Sequence, residues 1–495
     1  MNSSFVFIMW TSVRYFGLIL SSVSLLSAML EDAPNEMAEI LGLPWHGWYQ
    51  AGKGSNKESC LLTELGPGYA ELFEKAKKNF KTFNEINRSE ANIREDVLEE
   101  SDMTLSDVFQ EQLVARRGFG LEVHNLSVGN GWTVSVHRII SRPSVTVAAA
   151  SGQENGLTHL HKESKTPVLI PSFLLGSSGF WLTAARNTSL AYILQDGGFD
   201  VWLGNYRGNS LYAHHEQTDF SKDAESPWAF TVNDHALYDT PAQIDYILSV
   251  TNQPKLHLVG MSQGSISSIQ MFSLRPSYND KVISFASLAG ARTLASADKI
   301  QFIKYVVCLI SRHMKPSEFL PWNENIASLV QGAEKESFDL FRDLIGMTSE
   351  YTDLKKLPLW VKYLPGGTST WVLRYYYDLW DSNKMIANSS SETEFVRSFD
   401  YGPRGNLRRF NTESPVWMDI RNLRVPTKVY FSTGDLYSTA EENWKLVRSL
   451  PANTTEYLFI DDINYSHHNF AINDKDPSLF YDVLSFLRKA EANPT

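Results

Sequence analysis

Cysteine is nearly absent, with only Cys60 and Cys308 in 495 residues. Two cysteines cannot build a disulfide framework, and their separation excludes a cysteine-based metal motif. A single bridge and two buried free thiols both fit that count. A basic surplus is missing as well, since 45 Lys and Arg stand against 56 Asp and Glu, a formal net charge of −11. No surplus of cations is there to neutralise phosphates, which argues against nucleic acid as a partner, and no polybasic membrane anchor exists. Internal repeats and low-complexity tracts are also lacking. What remains is ordinary globular material, 43% hydrophobic and 20% charged, long enough for a large core.

Charge is scarce in one place in particular. Residues 5–30 carry only Arg14, and Tyr15 to Leu30 form an apolar and small-residue run ending in Ser24-Leu25-Leu26-Ser27-Ala28. Glu31 and Asp32 follow at once. The run is short for a membrane span, so residues 1–30 read as a cleaved secretory signal, with an uncleaved signal anchor as the alternative. Asn-x-Ser/Thr sites at Asn87, Asn125, Asn187, Asn388, Asn453 and Asn464 agree with entry into the secretory pathway. Residues 31–117 form an extension, mostly polar and acidic, with Tyr69, Phe73, Ala76, Phe80 and Phe83 at helical spacing. That stripe predicts a helix packed on the main domain, or one touching a membrane.

From residue 118 the pattern changes. Leu121–His124 and Trp132–Val136 alternate like paired strands around Gly129-Asn130-Gly131. Residues 142–165 read as a polar loop. Short, continuous apolar runs follow at 167–170, 199–203, 255–259, 282–286, 428–431 and 456–460, as expected of strands buried on both faces. Helix-like segments at 188–196, 234–250 and 442–450 separate most of them, which predicts an α/β fold with a mainly parallel sheet and helices on both faces. The interval 292–424 breaks the rhythm with aromatics at helical spacing and no clear buried strand. It predicts a helical cap inserted between a first core part, 118–291, and a second, 425–495; a fixed helical subdomain is the plainer alternative.

The run Leu256–Val259 leads into Gly260-Met261-Ser262-Gln263-Gly264. A Gly-x-Ser-x-Gly between a buried strand and a helix is the nucleophile elbow of α/β-hydrolases, where a sharp turn exposes the serine hydroxyl. Serine needs a histidine base, and the base needs a carboxylate to orient it. In this fold the order is serine, acid, histidine. Asp435 lies just past the apolar run at 428–431, and two adjacent histidines, His467 and His468, follow the next one. The pairs His214-His215 and His159-x-His161 have neither the helical spacing nor a third ligand that zinc requires. No metal and no cofactor is expected.

The segment Gly198-Phe199-Asp200-Val201-Trp202-Leu203-Gly204-Asn205-Tyr206-Arg207-Gly208-Asn209 resembles the signature of the acid lipase family, which includes gastric and lysosomal acid lipases and yeast-type steryl ester hydrolases. Trp228-Ala229-Phe230, Tyr238-Asp239, Pro241-Ala242, Phe399-Asp400-Tyr401-Gly402, Val425-Pro426-Thr427 and Ser466-His467-His468-Asn469-Phe470 follow at the family's spacing. The likeness runs from about residue 118 to about 488. It implies Ser262 as nucleophile, Asp435 as triad acid and His467 as base, with His468 structural or facing solvent. It also implies the backbone N–H groups of Leu174 and Gln263 as oxyanion donors. The implied substrate is a lipid ester, a triacylglycerol or steryl ester, met at a lipid–water interface, with peripheral membrane or lipid-droplet contact. The implied location is the lysosome, the vacuole or the extracellular space. A phospholipase, thioesterase or acyltransferase would use the same triad.

The likeness breaks at Ser172-Phe173, where the family carries His-Gly. If that glycine's place demands a positive φ, Phe173 costs about 1 kcal/mol or reshapes the loop. A catalytically weak lipid-binding protein is the reading that follows from such a change. Phe173 is also expected to face one cavity with Ser262, beneath the cap.

Overall fold

The computed structural model describes residues 110–141, 165–216, 226–297, 314–322, 350–381 and 395–493, with a few isolated positions between 300 and 348. The signal run, the Tyr69–Phe83 stripe, Cys60, His159, His161 and nearly all of the 142–165 loop lie outside the described residues. Cys308 is disulfide-bonded.

Nine strands form the central sheet. They are β1 (Phe119–Gly129), β2 (Trp132–Ser141), β3 (Pro167–Ile170), β4 (Asp200–Leu203), β5 (Ala213–His215), β6 (Leu256–Met261), β7 (Val282–Leu288), β8 (Thr427–Ser432) and β9 (Thr455–Ile460). Their order is β1-β2-β4-β3-β6-β7-β8-β9, with β5 beside β2. From β4 to β9 every pairing is parallel, while β1, β2 and β5 are antiparallel. The turn at Gly129-Asn130-Gly131 has positive φ at all three residues, the geometry a tight connection between twisted strands requires.

Side chains alternate along the parallel strands and divide the interior into two cores. Val168, Ile170, Val201, Leu203, Val259, Met261, Ala286, Leu288 and Tyr430 face the core containing helices Leu190–Asp196 and Ser478–Ala492. Leu169, Trp202, Leu258, Phe285, Val429 and Phe431 face the other, with helices Thr240–Thr251, Gln263–Leu274 and Ala440–Ser449. Burial on both faces explains why β3, β4, β6, β7 and β8 read as apolar runs, whereas β9, expected to be buried likewise, leaves Tyr457 and Phe459 exposed at the sheet's edge.

In the interval 292–424 the described residues include helices Thr370–Trp380 and Gly402–Phe410. They also include two small antiparallel pairings, Glu318–Phe319 with Thr368–Ser369 and Phe395–Arg397 with Trp417–Asp419. Strands of two or three residues are too short to register as an apolar run, so the sequence showed none. His214 and His215 sit in the short strand β5. The His215 Nε2 lies 2.9 Å from the Asn130 carbonyl, and its ring packs edge-on against Trp132.

Candidate active site

Ser262 caps β6 with φ 52° and ψ −119°, a conformation that bulky side chains rarely adopt, and helix Gln263–Leu274 begins at the next residue. Two glycines make the turn sterically feasible. A Cβ on Gly260 would lie 2.7 Å from the Ser265 backbone, and one on Gly264 would lie 2.9 Å from the Ser172 carbonyl oxygen. The second contact also presses the elbow directly against the Ser172–Gly176 loop that follows β3. Gln263 opens its helix, so its N–H is among those a helix leaves without an internal acceptor.

The acid and the base approach from the neighbouring strand ends. Asp435 follows β8, and its carboxylate is fully buried. One oxygen accepts the N–H groups of Tyr437 and Ser438 at 2.9 and 2.8 Å; the other accepts His467 Nδ1–H at 2.7 Å. Gly434 permits the approach, because a Cβ there would stand 2.7 Å from the Tyr465 carbonyl oxygen. Ser432 ties the same two loops, donating its hydroxyl to that carbonyl at 2.6 Å. In the histidine loop, Ser466 donates both its N–H and its hydroxyl to Asn469 Oδ1, which fixes the turn carrying His467. His467 Nε2 then lies 2.9 Å from Ser262 Oγ, and its side chain keeps 13% exposure.

Ser262, His467 and Asp435 are thus joined in one hydrogen-bonded line across the C-terminal ends of β6, β8 and β9. His468 is not part of it. Its ring meets Tyr437 edge-on, its buried Nδ1 has no hydrogen-bond partner, and burial with the neighbouring His467 lowers its pKa to about 3. Of the two expectations for it, structural or facing solvent, the packed, neutral imidazole agrees with the first. The Tyr437 ring centroid lies 5.2 Å from that of His467, and burial beside Asp435 raises its phenol pKa.

Strain in the Ser172–Gly176 loop does not fall on Phe173. The residue with positive φ is Leu175, at 60°. Its carbonyl accepts the Gly366 N–H at 2.6 Å, and the next carbonyl, Gly176, accepts Asn209 Nδ2–H at 2.9 Å. Asn209 is itself fixed, since its Oδ1 accepts the N–H groups of Leu211 and Tyr212. Phe173 itself is packed against the core behind the loop. Its ring packs edge-on against Phe180 and Trp181 and joins the core of the Leu190–Asp196 face. The small cavity it lines is bounded by Gln263. Leu174, half-buried, packs toward the opposite core.

One contact has no signal in the sequence. Tyr376, buried on helix Thr370–Trp380, donates its hydroxyl to Gln263 Oε1 at 3.2 Å. The aromatic interval therefore reaches the elbow.

A family model of the alpha/beta hydrolase fold matches residues 166–473, and the chain belongs to that family. Within it the chain is similar to lipases. It is 28% identical to Lipase 1 of Drosophila melanogaster over 376 residues, 74% of this chain and 76% of the relative. Gastric triacylglycerol lipase of Bos taurus is 26% identical over 391 residues, 76% and 90% of the two chains. Lysosomal acid lipase/cholesteryl ester hydrolase of Rattus norvegicus is 28% identical over 345 residues, 67% and 80%.

Proposed function

We propose that the protein is a serine hydrolase of lipid carboxylic esters, with Ser262, His467 and Asp435 as its catalytic triad. The observation that carries the reading is the line of hydrogen bonds from Asp435 through His467 to Ser262, 2.7 and 2.9 Å long. Ser262 Oγ bonds to the ester carbonyl carbon while its proton passes to His467 Nε2. Asp435 holds the imidazole in the tautomer that accepts that proton. The N–H groups of Gln263 and Leu174 receive the charge on the carbonyl oxygen. The C–O bond to the alcohol then breaks, and the alcohol leaves with the proton from His467. Water repeats the sequence on the acyl-enzyme, losing its proton to His467, and releases the fatty acid with Ser262 restored.

Triacylglycerols or steryl esters are the proposed substrates, supported by the names of the relatives. The interval 292–424 is proposed as the cap, supported by the Tyr376 bond to Gln263 and by the bond from Gly366 to Leu175. Passage through the secretory pathway is supported by Asn125, Asn187, Asn453 and Asn464, all exposed. A weak lipid binder was motivated by strain at Phe173, and with that strain elsewhere no observation favours it.

The test combines fluorophosphonate labelling with hydrolysis of triacylglycerol, steryl ester and phospholipid across acidic to neutral pH. Labelling confined to Ser262 and turnover of a neutral lipid ester are expected. Absence of both from folded protein would defeat the reading.

A further inference from the structure

His235 is not used by the mechanism above, yet it lies close behind the site. It begins a π-helical stretch, His235–Asp239, that leads into helix Thr240–Thr251. Such stretches inside α-helices occur often at functional positions. The side chain is 1% exposed, and its ring stacks on Tyr206 with centroids 4.3 Å apart. Both ring nitrogens are buried, and neither has a hydrogen-bond partner in the protein. Burial and the nearby Arg207 guanidinium push its pKa well down, so the ring is neutral, with one N–H to donate and one lone pair to receive. Buried groups of this kind are satisfied by protein or by an ordered water, because leaving them unpaired is expensive.

A small cavity adjoins this ring. Ser172, Phe173, Tyr206, Gln263 and Thr368 line it together with His235, and it has room for about one water. Its walls come from the Ser172–Gly176 loop, the loop after β4, the elbow and the 292–424 interval. A water needs two to four polar partners to be held in such a place. The imidazole supplies one, and the polar residues Gln263 and Thr368 belong to the same lining.

We propose that this cavity is a water-binding site, and that His235 is a positioning residue which, through the bound water, holds the Ser172–Gly176 loop in register with the elbow. The inference rests on the hydrolase reading, because the loop and the elbow carry the two oxyanion N–H groups named there. His235 touches neither substrate nor nucleophile. It acts on the spacing between Leu174 and Gln263.

The first measurement is a high-resolution crystal structure of the full protein. An ordered water within hydrogen-bond distance of His235 Nδ1 or Nε2 and of a second lining group is expected. An empty cavity overturns the proposal. The second compares His235→Phe, which keeps a ring to stack on Tyr206 without polar atoms, with His235→Gln, which keeps a donor and an acceptor. On a short-chain ester, His235→Phe should lower kcat about tenfold with KM unchanged, less than the full loss of an oxyanion donor. His235→Gln should recover part of the loss. A folded Phe variant with wild-type kcat overturns the positioning role, since filling a dry cavity would only add stability. Should that variant not fold, the density in the wild-type cavity decides alone. Failure of the wild type to react with fluorophosphonate at Ser262 would instead defeat the hydrolase reading, leaving the crystallographic question intact.

Discussion

The proposed relay and the proposed oxyanion loop are built by different means, although they meet at one elbow. Ser262, Asp435 and His467 are set by the ends of the strands that carry them, by Gly434 admitting the Tyr465 backbone, and by Asn469 fixing the His467 turn. The Ser172–Gly176 loop has one internal bond, from the Gly176 N–H to the Phe173 carbonyl at 2.9 Å, and takes its other support from outside. It keeps Leu175 at φ 60° because Gly366 and Asn209, both distant in the chain, hold the two adjacent carbonyls. Strain persists only where the surroundings over-determine it. The first region is therefore set mainly by the sheet that carries it, and the second mainly by the loops packed against it.

The largest effects should come from the relay. Ser262→Ala should abolish fluorophosphonate labelling and lower kcat by several orders of magnitude, up to about a millionfold. His467→Ala should do nearly as much, while His468→Ala should leave kcat within about threefold, since His468 makes no bond to the relay. Reversed phenotypes for the two histidines, read in the same ester assay, would place the base one residue further along.

The oxyanion loop should respond to residues remote from it. In Gly366→Ala the new Cβ would sit 2.7 Å from Asn209 Nδ2 and 3.2 Å from the Gly176 carbonyl oxygen. Steady-state kinetics should show kcat reduced about ten- to a hundredfold, short of the full loss of an oxyanion donor. The pH profile of kcat should stay in place, because the proposed relay is untouched. A shifted profile would mean that the two regions are not separate.

A third difference concerns acid. His137, bonded to Ser178 at 2.6 Å, has its pKa lowered to about 4, chiefly by burial, and that of His468 falls to about 3. Both lie below the unfolded value of about 6.5. The unfolded chain therefore binds more protons between those limits, and stability rises with pH across that window. The stability these neutral rings contribute is complete above about pH 6.5 and is lost as the pH falls through about 4 and 3. Thermal melts from pH 7 to 4 should show a falling Tm, with a shallower slope in His137→Gln. A Tm independent of pH would show that other groups offset both rings.

The smallest expected effect is at Phe173. Its ring packs on Phe180 and Trp181 while remaining half-buried. Phe173→Ala should cost about 2 kcal/mol in denaturant titrations, below the range for a fully buried phenylalanine. It should slow long- and short-chain esters alike. A selective effect on bulky esters would return Phe173 to the substrate cavity.

Legibility in the sequence follows the same division. The inner parallel strands could be read as apolar runs, because burial on both faces removes polar positions from them, while the edge strand β9 reads the same way with Tyr457 and Phe459 exposed. The elbow could be read because two glycines and a serine are demanded at fixed spacing. Asp435 and His467 followed from chain order and from resemblance, since no local rule separates a catalytic aspartate from a capping one. Leu175, Tyr376 and His235 carry no signal of their own. Leucine gives no hint of positive φ, and a tyrosine in an aromatic stretch does not reveal which glutamine it will meet. Asn209 stood within the quoted signature, but its hold on Gly176 exists only after the loops meet.

The order of the strands also sets a schedule for biosynthesis. Ser262 leaves the ribosome long before Asp435 and His467, on β6, while those two depend on β8, which pairs onto β7, and on β9, which pairs onto β8 at the sheet's edge. The helix Ser478–Ala492, which packs over that part of the sheet, is translated later still. A nascent chain halted between Ser262 and His467 would display the proposed nucleophile without its proposed base. On the proposed triad, products truncated within that interval should be inert toward any ester they encounter.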